Sequence, residues 1–384
     1  MKRPVQASDL RAYSRLAIEA TLGVTDLVEA VHRSVLSLPG RGAKPKRTRG
    51  LTGFIYRAIR WITRRVGSGL DSGLAQLTPL LASSSADGPP TREREALVAV
   101  LNGVLGDHLE ATYNALAIPM RFRRDGRAFD PAVDPAQERG GRILLLLHGL
   151  CCNDLQWSRR GHDHGARLAE DCGYTPVYLH YNSGRPIAAN GAELARRLED
   201  LLLAWPEPVT GLNVLAHSMG GLVMRSACQV AEAGGLTWRR HLRRIVFLGT
   251  PHHGSPLERS GHWLNRVLDT TSYTAAFGHL GRVRSAGITD LRHGLSSRLP
   301  VGVDCFVAAA ILGKPGDTAG SVLGDGLVPL ASAFGDHADP ARSLGIPPDR
   351  RWVGQGLGHL DLLDRPEVYR QIQTWLEAGD EGVV

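Results

Sequence analysis

The feature that most constrains the fold of this chain is a change in hydrophobic pattern near residue 141. Beyond it, short apolar runs alternate with stretches of helical periodicity. The predicted strands are residues 143–147, 176–181, 212–216, 245–248, 303–311 and 351–353, and the predicted helices are residues 188–205, 220–233 and 366–378. Strands that are apolar throughout and joined by helical crossovers form parallel sheets covered on both faces. The sequence therefore predicts an α/β fold with a mostly parallel central sheet flanked by helices.

The N-terminal part of the chain differs from the rest in charge. The formal net charge is +7, but residues 1–70 alone hold 14 Lys and Arg against 4 Asp and Glu. A polar stretch with Pro and Gly at residues 83–95 marks a domain boundary. We therefore predict a basic helical extension over residues 1–95. A second domain over residues 96–384 would start with a helix to about residue 116, followed by a strand over residues 118–124.

Residues 51–66 of the extension form an amphipathic helical pattern. Apolar side chains fall on one stripe, and Arg57, Arg60, Arg64 and Arg65 lie mostly off it. The pattern is typical of a helix that lies on a lipid surface, and also of a helix packed on a domain. The basic region suggests an anionic partner surface, with a solvated basic face as the alternative. Packing on a domain is the favoured interpretation of residues 51–66, with peripheral membrane contact as the alternative, and we expect no nucleic-acid partner.

Cysteine usage and hydropathy indicate the compartment. The five cysteines form an odd set without CxxC spacing, which favours reduced thiols. The first residues carry charge but no apolar segment of a signal peptide, and no apolar run is long enough for a transmembrane helix. We expect a cytoplasmic protein that associates with membranes at most peripherally.

The strongest catalytic motif surrounds Ser218. The predicted strand 212–216 runs directly into the sequence AHSMGG, and a helix follows. A serine on such a sharp strand–turn–helix connection is a nucleophile elbow, which requires small neighbours because the turn leaves little room. Ala216 stands where a glycine is usual, and Gly220 supplies the second small residue. The motif predicts Ser218 as a nucleophile.

A serine hydroxyl needs a base and an acid that orients the base. In this architecture both should follow the serine, in the order Asp then His. Asp325 lies in a glycine-bounded loop after the strand 303–311, and His359 lies after the last strand. The competing acids Asp304, Asp317 and Asp336 lack that loop, and the histidines His279, His293 and His337 precede the last strand. We therefore predict Asp325 and His359 as the acid and the base.

The reaction also needs hydrogen-bond donors for the oxyanion. The loop His148-Gly149-Leu150 follows the first strand of the predicted sheet, so its backbone can face the serine. The predicted donors are the N–H groups of Leu150 and of Met219, the residue after the nucleophile. His148 is interpreted as a structural loop residue, with a role as a base as the alternative. This chemistry requires no cofactor.

The chain from about residue 118 onward resembles α/β-hydrolases of the lipase and esterase kind. The resemblance is carried by HGL (148–150), AHSMGG (216–221), GTPHHGS (249–255), GDGLVP (324–329) and GLGHLDLL (356–363). The motifs GTPHHGS, GDGLVP and GLGHLDLL resemble those of bacterial triacylglycerol lipases and of an inositol-deacylase-like branch. The resemblance implies an α/β-hydrolase fold in which Ser218, Asp325 and His359 are the nucleophile, acid and base. It leaves the substrate open.

Two further features follow from the resemblance. Family members use the region matching residues 255–300 as a helical lid that lines the acyl pocket, and a plain helical connection is the alternative. The predicted lid and pocket residues are Trp263, Leu264, Leu268 and Tyr273. Asp361 stands where some bacterial lipases have a calcium ligand. With Asp304 as the best second carboxylate, the set is too small for calcium, so no metal site is predicted.

These observations lead to one main hypothesis and two alternatives. The main hypothesis is a serine ester hydrolase that acts on lipid-like or hydrophobic acyl esters through an acyl-enzyme. An acyltransferase would use the same acyl-enzyme with an alcohol as acceptor. A membrane-binding module attached to a degenerate hydrolase body is the third reading, and three correctly ordered catalytic residues make it the weakest.

Overall fold

A computed structural model describes residues 92–131, 140–254, 285–295, 297–313 and 324–378. Its strands are β1 (Arg121–Arg124), β2 (Arg127–Ala128), β3 (Arg142–Leu147), β4 (Thr175–His180), β5 (Gly211–His217), β6 (Leu242–Leu248), β7 (Asp304–Ile311) and β8 (Arg351–Gln355). Its α-helices are α1 (Arg92–Ala111), α2 (His164–Cys172), α3 (Ile187–Leu203), α4 (Met219–Gly234), α5 (Ala286–His293), α6 (Leu330–Phe334) and α7 (Pro366–Glu377). Of the predicted extension over residues 1–95, residues 1–91 lie outside the described residues.

The eight strands form one sheet in the order β2-β1-β4-β3-β5-β6-β7-β8. Each pair of neighbouring strands in the series β4-β3-β5-β6-β7-β8 is parallel. Strand β1 is antiparallel to both of its neighbours, β2 and β4. Strands β3, β4 and β5 are buried along almost their whole length, as expected for strands covered on both faces. The sequence-based prediction of an α/β-hydrolase fold, with a mostly parallel sheet between helices, is confirmed.

Helices cover both faces of this sheet. Side chains of α7, among them Val368, Ile372 and Trp375, belong to a buried cluster with Leu144 and Leu146 of β3. On the other face α4 packs so closely that a Cβ added to Gly221 would lie 2.8 Å from the ring of Phe247 in β6. Burial of these apolar surfaces is the main stabilisation of the fold.

Most described residues belong to one compact unit, residues 95–113 and 117–384. A second unit consists of residues 1–94 and 114–116; in its short described part, the N–H of Leu116 donates to the side chain of Asn114 at 3.0 Å. All five cysteines are free thiols. Within the described ranges, no helix combines the length and apolar character of a membrane span.

The strand register determines where a site can form. Leu147 pairs with Ala216, His217 with Leu248, and Leu248 with Ala308. The carboxyl ends of β3, β5, β6 and β7 therefore lie at one edge of the sheet, and the loops that follow them converge there.

Candidate active site

Ser218 occupies the connection between β5 and α4 with a strained backbone. Its φ of 54° and ψ of −124° lie in the left-handed half of conformational space, which non-glycine residues rarely adopt. Its N–H donates to the carbonyl of Leu248 at 2.8 Å, which fixes the turn to β6. A Cβ added to Gly220 would lie 2.7 Å from the carbonyl oxygen of His148. The turn therefore has the geometry of a nucleophile elbow, with Ser218 at its tip.

The loop after β3 lies directly against this elbow. A Cβ added to Gly149 would lie 2.9 Å from the Cβ of Ser218 and 3.2 Å from Nδ1 of His217. Met219 is the first residue of α4, so its N–H has no acceptor within the helix. Among the described residues, none accepts a hydrogen bond from the N–H of Leu150. The two N–H groups predicted to bind an oxyanion are thus both available next to Ser218.

Asp325 and His359 form a buried hydrogen-bonded pair. Nδ1 of His359 lies 2.6 Å from Oδ2 of Asp325. The other carboxylate oxygen accepts the N–H groups of Leu327 at 2.9 Å and Val328 at 2.8 Å. Because a carboxylate only accepts, Nδ1 of neutral His359 carries the proton, which leaves Nε2 as the basic nitrogen. This is the tautomer that a general base requires.

The imidazole of His359 lies against the elbow. Its ring centroid is 4.6 Å from that of His217, the residue before Ser218. A Cβ added to Gly249 would lie 3.0 Å from Nδ1 of His359. Nε2 of His217 donates to the carbonyl of His359 at 3.3 Å, and burial holds the pKa of His217 well below its usual range. His217 therefore holds the loop that carries His359. Because its imidazole stays neutral, it adds no positive charge beside His359.

His148 has the surroundings of a structural residue. Its Nδ1 donates to the carbonyl of Gly149 at 2.9 Å, and its Nε2 accepts the N–H of Tyr181 at 3.4 Å. Its ring stacks on that of Tyr181 at 4.3 Å between centroids. Burial lowers its pKa to about 3. Both ring nitrogens are engaged, which favours the loop interpretation of His148 over a role as a base.

Helix α1 supports the loops after β3 and β4, a role that the sequence analysis missed. A Cβ added to Gly103 would lie 2.2 Å from Sγ of Cys151, and one added to Gly106 would overlap the side chain of Asn182. The amide of Asn182 donates to the carbonyl of Gly106 at 2.8 Å. Two glycines three residues apart on a predicted helix are the sequence feature that could have indicated this close contact.

Asp361 and Asp304 are both paired with arginines. Asp361 accepts the N–H of Gly358 at 2.9 Å and lies 3.1 Å from Arg160, while Asp304 lies 2.9 Å from Arg350. In the part of the chain that the structure describes, no cluster of three or more His, Cys, Asp or Glu residues could hold a metal ion. Asp361 instead stabilises the loop of His359, because it accepts the N–H of Gly358.

Several predicted residues lie outside the described ranges. They are the amphipathic segment 51–66 and the lid and pocket residues Trp263, Leu264, Leu268 and Tyr273. Those assignments remain predictions. Chemically, the described site combines a serine on a strained turn, a carboxylate-oriented imidazole and two backbone donors, which together are the groups required for acyl transfer.

Comparison with known proteins gives one family match and several similar structures. The family model "Domain of unknown function (DUF7379)" matches residues 115–297, a range that includes Ser218 and ends before Asp325. No curated protein matches the chain.

Three of the similar solved structures are a lipase, an esterase and a thioesterase. The lipase BlEst2 of Bacillus licheniformis in its mature form is 17% identical, with 64% of this chain and 96% of that chain covered and a TM-score of 0.42. A thermophilic esterase of Thermogutta terrifontis is 15% identical, with 67% and 93% covered and a TM-score of 0.41. The RedJ thioesterase of Streptomyces coelicolor is 16% identical, with 66% and 96% covered and a TM-score of 0.38. None of the three identifies a substrate for this chain.

Proposed function

We propose that this protein is a serine ester hydrolase with Ser218, His359 and Asp325 as nucleophile, base and orienting acid. The observation that carries the proposal is the 2.6 Å contact between Nδ1 of His359 and Asp325, on a loop that packs against the elbow of Ser218. Because this contact holds the proton on Nδ1, Nε2 of His359 is left as the basic nitrogen.

The reaction proceeds in two steps. Oγ of Ser218 attacks the ester carbonyl carbon while Nε2 of His359 takes the hydroxyl proton, and the N–H groups of Leu150 and Met219 bind the resulting oxyanion. The tetrahedral intermediate collapses when the bond to the alkoxy group breaks and His359 donates its proton to the leaving alcohol. A water molecule, deprotonated by Nε2 of His359, then attacks the acyl carbon. The acid is released when the bond from this carbon to Oγ of Ser218 breaks and His359 returns the proton to Oγ.

We infer that the substrate class is lipid-like or hydrophobic acyl esters. Support comes from the sequence: the insertion with Trp263, Leu264, Leu268 and Tyr273 and the motifs shared with triacylglycerol lipases and the inositol-deacylase-like branch. The amphipathic segment 51–66 would bring the enzyme to such substrates at a membrane surface.

The decisive experiment compares wild type with Ser218→Ala on p-nitrophenyl esters from short to long acyl chains. We expect the substitution to lower kcat by at least about 10⁴-fold, because the remaining groups cannot form an acyl-enzyme. Activity that persists with long chains supports the lipid-like class. Hydrolysis that is unchanged in the variant would refute the proposal. Product analysis with a competing alcohol separates hydrolysis from acyl transfer.

A further inference from the structure

The turn that carries the predicted oxyanion donor Leu150 has a strained backbone. The N–H of Cys152 donates to the carbonyl of Gly149 at 3.3 Å, which closes a turn over residues 149–152. Cys151, the third residue of this turn, has a φ of 59°. A turn with positive φ at its third residue usually has glycine there, because a Cβ atom disfavours this conformation. A non-glycine residue stays in it only where the surrounding structure holds it there.

The hydroxyl of Ser183 holds this turn at its strained residue. The N–H of Cys151 donates to Oγ of Ser183 at 3.1 Å, and both residues are buried. In the more common type I turn, the peptide that joins the second and third residues faces the opposite way, so the N–H of Cys151 would point away from Ser183. The hydrogen bond therefore favours the observed turn over the relaxed one.

Ser183 is itself held in place from two sides. It lies in the loop after β4, and its neighbour Gly184 packs so closely on α1 that an added Cβ would overlap the carbonyl oxygen of Asn102. A Cβ added to Gly287 of α5 would overlap the carbonyl oxygen of Ser183. Because both neighbouring helices contact this loop through backbone atoms, the hydroxyl of Ser183 has a fixed position from which to orient the turn.

Helix α1 also contacts Cys151 directly. A Cβ added to Gly103 would lie 2.8 Å from Cα and 2.9 Å from N of Cys151, and Sγ of Cys151 lies 3.9 Å from the carbonyl of Val100. Loss of the Ser183 hydroxyl would leave the buried N–H of Cys151 without its acceptor, which is costly. The turn would then be free to relax at the strained residue.

We propose that Ser183 is a positioning residue for the oxyanion hole. Its hydroxyl holds the turn over residues 149–152 in the conformation that presents the N–H of Leu150 to the oxyanion formed at Ser218. The inference rests on the proposed function of Ser218. The turn lies directly against the elbow, since a Cβ added to Gly149 would lie 2.9 Å from the Cβ of Ser218. An oxyanion donor acts only once charge develops on the carbonyl oxygen, so its displacement lowers kcat and leaves KM unchanged.

The test compares Ser183→Ala with the matched control Thr175→Val on p-nitrophenyl butyrate. Thr175 begins β4, at the opposite end of the strand from Ser183, and its buried hydroxyl likewise accepts a backbone N–H at 3.1 Å, that of Gly140. We expect Ser183→Ala to lower kcat by about tenfold or more, as part of the 10²–10³-fold loss typical of a missing donor, with KM within about twofold of wild type. Thr175→Val should keep the wild-type kcat. Both variants lose one buried hydrogen bond, so a similar fall in melting temperature is expected, and only Ser183→Ala should combine it with a slower reaction.

A double variant shows whether Ser183 acts through this turn. The methyl group of Gly149→Ala forces the same turn away from Ser218, so the effects of Gly149→Ala and Ser183→Ala on kcat should not add. We expect the double variant to have a kcat within about twofold of that of Gly149→Ala alone. Fully multiplied effects would show that Ser183 acts elsewhere and would overturn the inference.

Labelling of Ser218 by a fluorophosphonate separates the inference from the proposed function. Oγ of Ser218 displaces fluoride from phosphorus, His359 takes the hydroxyl proton, and the phosphonyl oxygen occupies the oxyanion hole. The labelling rate should fall by about tenfold or more in Ser183→Ala and stay at the wild-type value in Thr175→Val. This result supports the inference even if wild type cleaves no ester, an outcome that would refute only the proposed ester hydrolysis. An unchanged kcat or an unchanged labelling rate in Ser183→Ala would overturn the inference, and a wild type that is not labelled would overturn both.

Discussion

His359 and Asp325 are 34 residues apart in the chain, and their side chains meet at 2.6 Å in a buried position. The orientation of the carboxylate is set independently of the histidine, because the N–H groups of Leu327 and Val328 hold its other oxygen. The loop after β7 thus orients the acid, and the loop after β8 brings the base to it.

Asp325→Asn should lower kcat by about 10³–10⁴-fold. The amide oxygen would still accept from Leu327 and Val328, so the NH₂ group would face Nδ1 of His359. Nδ1 would then accept, the proton would move to Nε2, and the base would be lost. Steady-state hydrolysis of a p-nitrophenyl ester measures the effect. Asp336→Asn, at a half-exposed carboxylate paired with Arg351, is the control; more than a tenth of wild-type kcat in Asp325→Asn would contradict the assigned role.

Much of this site could be predicted because elbow, acid and base each follow a strand that is recognisable from its apolar run. Helix α2 was missed because Leu168 is its one large apolar residue, although Asp163 caps its start and Gly173 its end. Strand β1 begins at Arg121 rather than at residue 118, since pairing with β4 starts there.

Gly149→Ala should impair catalysis more than folding. The added methyl group would approach the Cβ of Ser218 to 2.9 Å, so the loop carrying the N–H of Leu150 must move away from the elbow. Loss of one oxyanion donor typically lowers kcat by about 10²–10³-fold. In the control Gly140→Ala, the nearest atom to the new methyl group is 3.8 Å away. Similar kcat values for the two variants would show that the approach of Gly149 to Ser218 is unimportant.

Arg123→Met should destabilise the fold through a buried charge cluster. The guanidinium of Arg123 lies 2.8 Å from Glu95 of α1 and 3.2 Å from Asp154, which follows the loop of Leu150. Removing one partner of a buried ionic group typically costs about 3–5 kcal/mol, because the other charges remain buried. Urea unfolding measures the change in free energy of unfolding.

The control for that cluster is Arg167→Met. Arg167 pairs with Glu170 at 3.0 Å on an exposed surface, where ion pairs contribute about 0–1 kcal/mol. If both substitutions change the free energy of unfolding by less than about 1 kcal/mol, the buried cluster does not stabilise the contact between α1 and the sheet.

Charge reversal in the segment 51–66 tests the proposed membrane contact. We expect the full-length protein to sediment with anionic vesicles and to do so less at high salt, since basic residues near an anionic surface contribute about 1 kcal/mol each. Replacing Arg57, Arg60, Arg64 and Arg65 by glutamate should abolish sedimentation with the vesicles. The hydrolysis of soluble esters should be unchanged in this variant. Equal sedimentation of variant and wild type would assign the basic residues to another role.

Acid should destabilise the protein through four buried histidines. Burial lowers the pKa of His148 and His164 to about 3, and it holds those of His217 and His252 well below their usual range. These groups are neutral when folded and protonated below about pH 6.5 when unfolded. Unfolding near pH 5.5 therefore takes up about four protons, and stability falls as the pH falls from 6.5 towards 3.

The slope of the free energy of unfolding against pH gives the total proton uptake, to which these four histidines contribute about four protons near pH 5.5. Four protons correspond to about 5 kcal/mol per pH unit, whereas these histidines give no slope above pH 7.5, where both states are neutral. His164→Gln should lower the uptake by about one proton, because His164 is fully buried with Nε2 donating to the carbonyl of Leu362 at 3.0 Å. A free energy of unfolding that stays constant from pH 7 to pH 5 would mean that these imidazoles gain protons without unfolding.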